Sequence, residues 1–214
     1  MAYATTPLHD KIFKTLKDRI VYMEYAPGTS LVEKELCREF GVSRTPLREA
    51  LQKLKEMRLV DVIPRFGTYV SNVDINEIRC AFEVKIKLEG LAGFLAAKRI
   101  TGDKLEEMSL VMREVEHVLH EKGQHALIEI DTRFHEIIYQ STQNPILQGF
   151  LENLHARCSR LWSSSLMEII PITDVIDQLT EIYNALRKRE AEKAAQLMEH
   201  HVQYFIDKIK SQLL

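Results

Sequence analysis

The sequence predicts a mainly α-helical protein in two parts, one at residues 1–73 and the other at residues 74–214. In the first part, short helical segments are followed by two strand-like segments around a tight turn. From residue 74 onward the apolar residues recur only at helical spacing, and no alternating strand pattern is left. With 214 residues and 45% hydrophobic content, the chain can bury one large core or two modest ones.

The N-terminal part divides at residues that end or begin helices. Pro27 and Gly28 follow the first helix and turn the chain, and Gly41 closes the second helix as its C-cap. The predicted elements are helices at residues 8–24 and 33–40, a third helix that begins after Ser43 or Thr45, and strands at residues 59–63 and 68–70. Helix, turn, helix and hairpin in this order predict a winged helix-turn-helix, with residues 64–67 as the tip of the wing.

The C-terminal part is predicted to be an antiparallel all-helical bundle. Gly, Asn and Pro residues interrupt its helical periodicity at short intervals, as expected for helices joined by tight connections. The predicted helices lie at residues 75–99, 103–121, 124–141, 145–166, 172–188 and 190–212.

The net charge of −2 divides unevenly between the two parts. Residues 1–73 carry 12 Lys and Arg against 9 Asp and Glu, whereas residues 74–214 carry 17 against 22. The positive potential therefore lies on the N-terminal part, where it would attract a polyanion. Cys37, Cys80 and Cys158 are widely spaced, and the first residues show no apolar signal region, so a cytoplasmic protein with reduced thiols is expected.

Two arginines mark the third helix as a candidate DNA-reading element. Arg44 and Arg48 lie four residues apart and off the apolar stripe of that helix, so they point outward together. An arginine can pair bidentately with guanine, which discriminates between bases by about 1–3 kcal/mol. The further candidates for DNA contacts are Ser43, Thr45, Lys34, Arg65 and Gly67. Each of them taken singly is equally compatible with a solvated surface, and the whole arrangement favours DNA.

The N-terminal part closely resembles the DNA-binding domain of GntR-type bacterial transcription regulators over residues 27–70, PGTSLVEKELCREFGVSRTPLREALQKLKEMRLVDVIPRFGTYV. VSRTPLREAL and GTYV are the most specific pieces of this resemblance. The helical remainder resembles the FCD-type effector domain of the FadR-like branch, so the resemblance covers nearly the whole chain. It implies a homodimeric, ligand-responsive regulator of a short palindromic operator. By this resemblance, family members contact DNA at the positions of Lys34, Arg44, Arg48 and Gly67.

Three residues of the helical part form a candidate metal site. Asp131 and His135 lie one helical turn apart at the inner face of their helix, and His201 is central on the inner face of the last helix. Imidazole and carboxylate are common ligands of divalent transition metals such as Zn, Ni or Mn. The alternative is a hydrogen-bonded Asp131–His135 pair that fills a polar cavity without a metal.

Metal-binding relatives in the FadR-like branch carry DxxFH and two later histidines. DTRFH and His201 match that pattern, whereas Leu179 stands where the remaining histidine is expected. The resemblance thus implies three ligands, an open position and a lower metal affinity. Five further histidines are expected to be ordinary surface or interface residues, namely His9, His117, His120, His125 and His155.

The effectors of this family are small carboxylates held by a basic group near the metal. Lys85 stands where relatives usually carry Arg, and lysine keeps the charge but loses the bidentate fork. Arg157 is a second candidate, although an internal salt bridge would explain Lys85 or Arg157 equally well. Asn184 is a third candidate for effector binding, and plain packing explains it as well as ligand contact does. Arg160 is expected to be external.

Taken together, these features predict a DNA-binding transcription regulator, most commonly a repressor in this family, and not an enzyme. Its helical domain is expected to dimerise and to sense a small organic acid. Two other classes stay open at this point, a metal-dependent hydrolase or isomerase that uses the candidate metal ligands, and a winged-helix protein-interaction scaffold. No base or nucleophile stands out beside the ligands, and the basic turn at residues 43–48 argues against the scaffold.

Overall fold

The computed structural model describes residues 7–121, 123–162 and 170–213. The elements are α1 (Leu8–Val21), α2 (Glu33–Phe40), α3 (Arg44–Glu56), β1 (Val60–Ile63), β2 (Gly67–Val70), α4 (Ile75–Arg99), α5 (Gly102–Glu121), α6 (Gly123–Ser141), α7 (Pro145–Trp162), α8 (Ile172–Arg187) and α9 (Ala191–Leu213). Residues 163–166, predicted to continue α7, lie outside the described residues. None of the helices in the described ranges combines the length and apolar character that crossing a bilayer requires.

The chain separates into two compact units, Met1–Asp74 and Ile75–Leu214, whereas the sequence places the boundary after residue 73. In the first unit α1 packs against α3. Their apolar stripes supply five residues that are fully buried, Leu16, Ile20, Leu47, Ala50 and Leu54. Burying a leucine or isoleucine side chain stabilises the fold by about 1.5–3 kcal/mol. The wing is an antiparallel hairpin in which Val60 pairs with Val70.

The turns of the first unit depend on residues with a positive φ. Gly41 ends α2 in the left-handed conformation, with a φ of 64°, as its predicted role of C-cap requires. The first helix ends at Val21, short of its predicted end at residue 24. Met23 has a φ of 63°, and the backbone N–H of Tyr25 donates to the carbonyl of Arg19. The apolar spacing that predicts a helix carries no information about such a left-handed turn.

The second unit is organised by the contact between α4 and α9, which run antiparallel. Two glycines on α4 permit a close approach. A Cβ added at Gly93 would lie 2.6 Å from the carbonyl oxygen of Ala194, and one at Gly90 would lie 2.6 Å from Oε1 of Glu199. Because real Cβ atoms do not come that close to other heavy atoms, glycine lets the two helices meet backbone to backbone.

The remaining helices complete one hydrophobic core in this unit. The apolar stripes of two of these helices are buried, with Leu127, Ile130, Phe134 and Ile138 on α6 and Val175, Leu179, Ile182 and Leu186 on α8. The polar Asp131 and His135 are buried on α6 beside this apolar stripe, and His201 is buried on α9. The packing thus brings polar side chains from distant parts of the sequence into the interior of the helical unit.

Candidate DNA interface and candidate effector site

The predicted DNA-reading helix exposes the residues that the sequence analysis selects. Arg44, Thr45 and Arg48 are exposed on α3, whereas Leu47 on its other side is fully buried. Ser43 is the exposed N-cap residue of this helix. A helix N-terminus presents unpaired N–H groups and favours anions, so this end of α3 suits a phosphate.

Arg48 is engaged in an ion pair that the sequence analysis missed. Its Nε donates to both carboxylate oxygens of Glu33 at the start of α2, at 3.0 and 3.1 Å. The Arg48 side chain is 62% exposed, and an exposed ion pair contributes little to stability. The contact uses Nε, whereas a bidentate pair with guanine can use the two terminal amino groups. Glu33 therefore orients the guanidinium more than it stabilises the fold.

The wing tip adds a cationic and an apolar side chain to this unit. Arg65 is exposed and has a φ of 69°. Phe66 is 77% exposed, and nothing in the sequence periodicity indicated it as a candidate contact. Gly67 has a φ of 128°, which L side chains rarely adopt, so the turn requires glycine there. Lys34 is exposed on α2.

In the helical unit, polar side chains surround a small cavity of about 20 Å³, enough for one or two water molecules. The lining side chains come from α4, α6, α7 and α9. They are Phe82, Lys85, Asp131, His135, His155, Cys158, Ser159, His201, Val202 and Phe205. Burial raises the pKa of Cys158 to about 12, so this thiol stays protonated near neutral pH and is a poor ligand there.

The three predicted metal ligands converge at this cavity. Oδ1 of Asp131 lies 3.2 Å from Nε2 of His201 and 3.7 Å from Nε2 of His135. Burial raises the pKa of Asp131, but the neighbouring charge of His135 and the hydrogen bond with His201 outweigh it and hold that pKa well below its usual range. Burial has the opposite effect on His201: it lowers the pKa of this imidazole and so favours its neutral form. Nδ1 of His201 lies 2.8 Å from Oε1 of Gln178, a contact that fixes the ring orientation.

A second group of ionisable residues adjoins the first and shares His135 with it. Nδ1 of His135 lies 3.3 Å from Oε1 of Glu89 and 3.2 Å from the hydroxyl of Tyr139. His155 adjoins both of these side chains, with its Nδ1 at 3.4 Å from the Tyr139 hydroxyl and its ring centroid at 4.8 Å from that of His135. The expectation that His155 is an ordinary surface or interface residue is wrong, because its side chain is buried among these groups. Burial lowers its pKa well below the usual value.

Lys85 and Glu89 form an ion pair inside the helical unit. Both side chains are buried, and Nζ of Lys85 donates to Oε1 of Glu89, which also accepts a hydrogen bond from Tyr139. The pKa of Glu89 would be raised by burial, but the charges of His135 and Lys85 hold it well below its usual range. The internal salt bridge that the sequence analysis left open for Lys85 is therefore present, and Lys85 lines the cavity as well.

The other predicted effector residues do not line this cavity among the described residues. Arg157 is half-buried and donates from Nη2 to Glu77 of α4, so it makes the internal salt bridge that was the alternative. Asn184 is exposed on α8. Arg160 was expected to be external and is buried instead, which corrects that expectation. Leu179 is fully buried in the apolar core of the helical unit.

The residues present fit a divalent metal with three protein ligands. One ligand atom each from Asp131, His135 and His201 lies within 4.8 Å of the others, and all three side chains are buried. Oε2 of Glu89 is buried and has no hydrogen-bond partner among the described residues. A buried unpaired carboxylate oxygen calls for a water or an ion nearby, so the donor chemistry suits a cation.

Comparison with known proteins shows the family. Residues 8–70 match the family described as "Bacterial regulatory proteins, gntR family", and residues 80–204 match the "FCD domain". The chain therefore belongs to the GntR family of bacterial regulators, with an FCD domain as its helical part. It is a DNA-binding transcription regulator and not an enzyme, as the sequence predicts, and its C-terminal domain is of the effector-binding kind.

Individual relatives agree with this assignment. The HTH-type transcriptional repressor RspR of Escherichia coli (strain K12) is 28% identical over 206 residues, which cover 96% of this chain and 90% of RspR. The galactonate operon transcriptional repressor of the same organism is 30% identical over 159 residues, covering 65% of this chain and 69% of that protein. The solved structure of E. coli McbR/YncC matches this chain with a TM-score of 0.84 at 23% identity. The match covers 98% of this chain and 100% of McbR/YncC, and it confirms the fold.

Proposed function

We propose that this regulator is a homodimeric, ligand-responsive repressor whose helical unit binds a small carboxylate together with a divalent metal. Repression is proposed because relatives such as RspR and the galactonate operon regulator are named repressors. The effector would change the relative placement of the two DNA-binding heads of the dimer and hence their match to the operator half-sites. The observation that carries the sensing role is the buried ionisable cluster around a cavity inside an otherwise apolar helical unit.

The charge balance of the cluster supports a metal and a monoanion as joint occupants. With neutral imidazoles, as metal ligation requires, Lys85, Glu89 and Asp131 leave one net negative charge in the buried site. A divalent cation held by Asp131, His135 and His201 would make that charge positive, and one carboxylate would then neutralise it. The metal would supply a Lewis-acidic attachment point for the carboxylate, because three protein ligands leave a coordination position open.

The proposed DNA contacts are those of the winged helix-turn-helix, namely Lys34, Ser43, Arg44, Thr45, Arg48, Arg65 and Gly67. Arg44 and Arg48 would contact base edges, because both are exposed on the first two turns of α3. The remaining residues would contact phosphates and fix the orientation of the domain on the duplex. Glu33 would act as a positioning residue through its contact with Arg48.

Replacing Arg48 with alanine is expected to weaken operator binding by about 1–3 kcal/mol and to relax the preference at one base pair. Operator fragments can be selected from the source genome and titrated at fixed salt by fluorescence anisotropy. Lys55→Ala is the matched control, since Lys55 is exposed on the last turn of the same helix, away from its N-terminal end. Unchanged affinity and unchanged base preference in the Arg48 variant would contradict the placement of this helix in the major groove.

Exposed apolar side chains on α7 support the proposed dimer. Ile146 is 73% exposed and Phe150 is 62% exposed, and their i,i+4 spacing puts them on one face of the helix. Val84 and Leu91 are exposed on α4, against which α7 packs. Exposed apolar residues on neighbouring helices are typical of a protein–protein interface.

Phe150→Glu is expected to convert the dimer into a monomer at micromolar concentration, because it would place a charge on the exposed apolar face that the interface would bury. Light scattering after gel filtration measures the mass. Leu110→Glu, at another exposed apolar position on α5, is the control and should leave the dimer intact. A monomeric wild-type chain, or a Phe150 variant that stays dimeric, would contradict this interface.

A further inference from the structure

A second, larger cavity in the helical unit is not used by the site described above. Its volume is about 490 Å³, which falls in the range of small-molecule sites. Its lining side chains are Ile75, Ile78, Arg79, Phe82, Glu83, Ile86, Leu161, Gln203, Ile206, Ile209 and Lys210. Most of them are aliphatic or aromatic, so the cavity favours an apolar ligand group.

The two cavities adjoin one another on the same pair of helices and overlap in extent. On α4 both cavities take Phe82; the polar cavity also takes Lys85, whereas the apolar cavity takes Ile86 and residues back to Ile75. On α9 the polar cavity takes residues from His201 to Phe205, whereas the apolar cavity begins at Gln203 and reaches on to Lys210. The apolar cavity therefore reaches beyond the polar one at the N-terminal end of α4 and at the C-terminal end of α9, the two ends that antiparallel helices bring together. The buried Phe82 lines both cavities and forms the shared wall.

The polar cavity is too small to enclose a metabolite. Its volume of about 20 Å³ holds one or two water molecules, so a carboxylate that enters it must leave the rest of the ligand outside. The apolar cavity shares the Phe82 side chain and extends along α4 from Ile86 to Ile75, about 16 Å at 1.5 Å per residue. Arg79 and Lys210, one from each helix, add positive charge to its lining, and Glu83 adds one negative charge.

We propose that the effector is an amphipathic monocarboxylate, with its acid group at Lys85 and the metal ligands and its apolar chain in the 490 Å³ cavity between α4 and α9. This proposal rests on the proposed function, since it places the acid group at the same site. It restricts the ligand class. A short hydroxy acid would leave the apolar cavity empty, and a dicarboxylate would bury a second charge there.

The test is a series of straight-chain alkanoates, acetate, butanoate, hexanoate and octanoate, titrated by calorimetry into the full-length protein with Zn²⁺ present. We expect the dissociation constant to fall about fourfold for each added methylene, since burying a methylene contributes about 0.8 kcal/mol. Ile75→Glu is expected to weaken octanoate binding more than tenfold and to leave acetate binding unchanged, because Ile75 lines only the apolar cavity. Leu110→Glu is the matched control, because Leu110 is about as exposed as Ile75 and does not line the apolar cavity. It should leave octanoate binding unchanged.

Each alternative result has a distinct meaning. Equal affinity for acetate and octanoate would overturn the apolar site and leave the proposed carboxylate sensor standing. Octanoate affinity equal to that of the wild type in the double variant Lys85→Met, Glu89→Leu would overturn the placement of the acid group at Lys85. If Ile75→Glu changed the oligomeric state of the protein without weakening octanoate binding, the result would overturn the apolar ligand site. It would indicate instead that these residues form a contact between two copies of the chain. Absence of binding by every alkanoate, acetate included, would overturn both this proposal and the carboxylate sensor.

Discussion

Glu89→Ala is expected to destabilise the helical unit by about 3–5 kcal/mol, since removing one partner of a buried ion pair leaves an uncompensated buried charge. Glu89 is fully buried and accepts hydrogen bonds from Lys85 and Tyr139, so the substitution strands the ammonium of Lys85 in the interior. Urea unfolding followed by circular dichroism measures the loss. Glu106→Ala, at an exposed position on α5, is the control and should change stability by less than about 0.5 kcal/mol.

A second variant separates charge from packing at this position. Lys85→Met combined with Glu89→Leu removes both charges and keeps the volume, so it is expected to recover most of the stability that Glu89→Ala loses.

The pH dependence of stability tests the same ion pair independently. Because the pKa of Glu89 is depressed in the folded state, its ionisation stabilises the fold above about pH 4.3 and this contribution is lost as the pH falls through the folded-state pKa. The Glu89→Ala variant should therefore lose less stability on acidification than the wild type. If the variant and the wild type had the same acid sensitivity and the same urea midpoints, that result would contradict the buried ion pair.

Asp131→Asn is expected to weaken the binding of Zn²⁺ or Ni²⁺ by more than about a hundredfold, a larger loss than the 10–100-fold caused by removing a group that only supports a ligand. The substitution keeps the shape of the side chain but removes the charge that faces both His135 and His201. Metal content after dialysis and competition with a chelator dye measure the affinity. Asp177→Asn, an identical change at an exposed position on α8, is the control.

Leu179→His tests the same site from the opposite direction. Leu179 is fully buried on α8 at the position where the family resemblance places the missing histidine. A fourth ligand there is expected to raise the metal affinity at least tenfold, because it would complete a four-ligand set. Failure of the wild-type protein to take up any metal, with no gain in the Leu179 variant, would support the metal-free polar cavity instead.

Most of the secondary structure could be predicted because it depends on neighbours in sequence. Apolar spacing predicted the helices of the second unit closely, and Gly41 was correctly assigned as the cap of α2. The outward placement of Arg44 and Arg48 also followed from their spacing on α3. The end of α1 was not predictable in this way, because the left-handed Met23 is a residue type that rarely adopts that conformation.

The candidate effector site was predictable only where its residues share a helix. Asp131 and His135 lie one turn apart, so their joint orientation follows from helix geometry alone. His155 was missed because its neighbours are on other helices, and its own helix gives no sign of them. Arg157 could not be assigned to the effector or to a salt bridge from sequence, since its partner Glu77 is 80 residues away.

The sequence by itself determined the winged helix-turn-helix, the helical bundle, the exposed arginines of α3 and the pairing of Asp131 with His135, because each depends on local periodicity or on a local conformational preference. Only the tertiary structure decided that Lys85 is paired with Glu89, that His155 belongs to the buried cluster, and that an apolar cavity continues from the polar one. These features arise where α4, α6, α7 and α9 meet. Which side chains meet there depends on how whole helices pack against each other, and the spacing within any single helix does not contain that information.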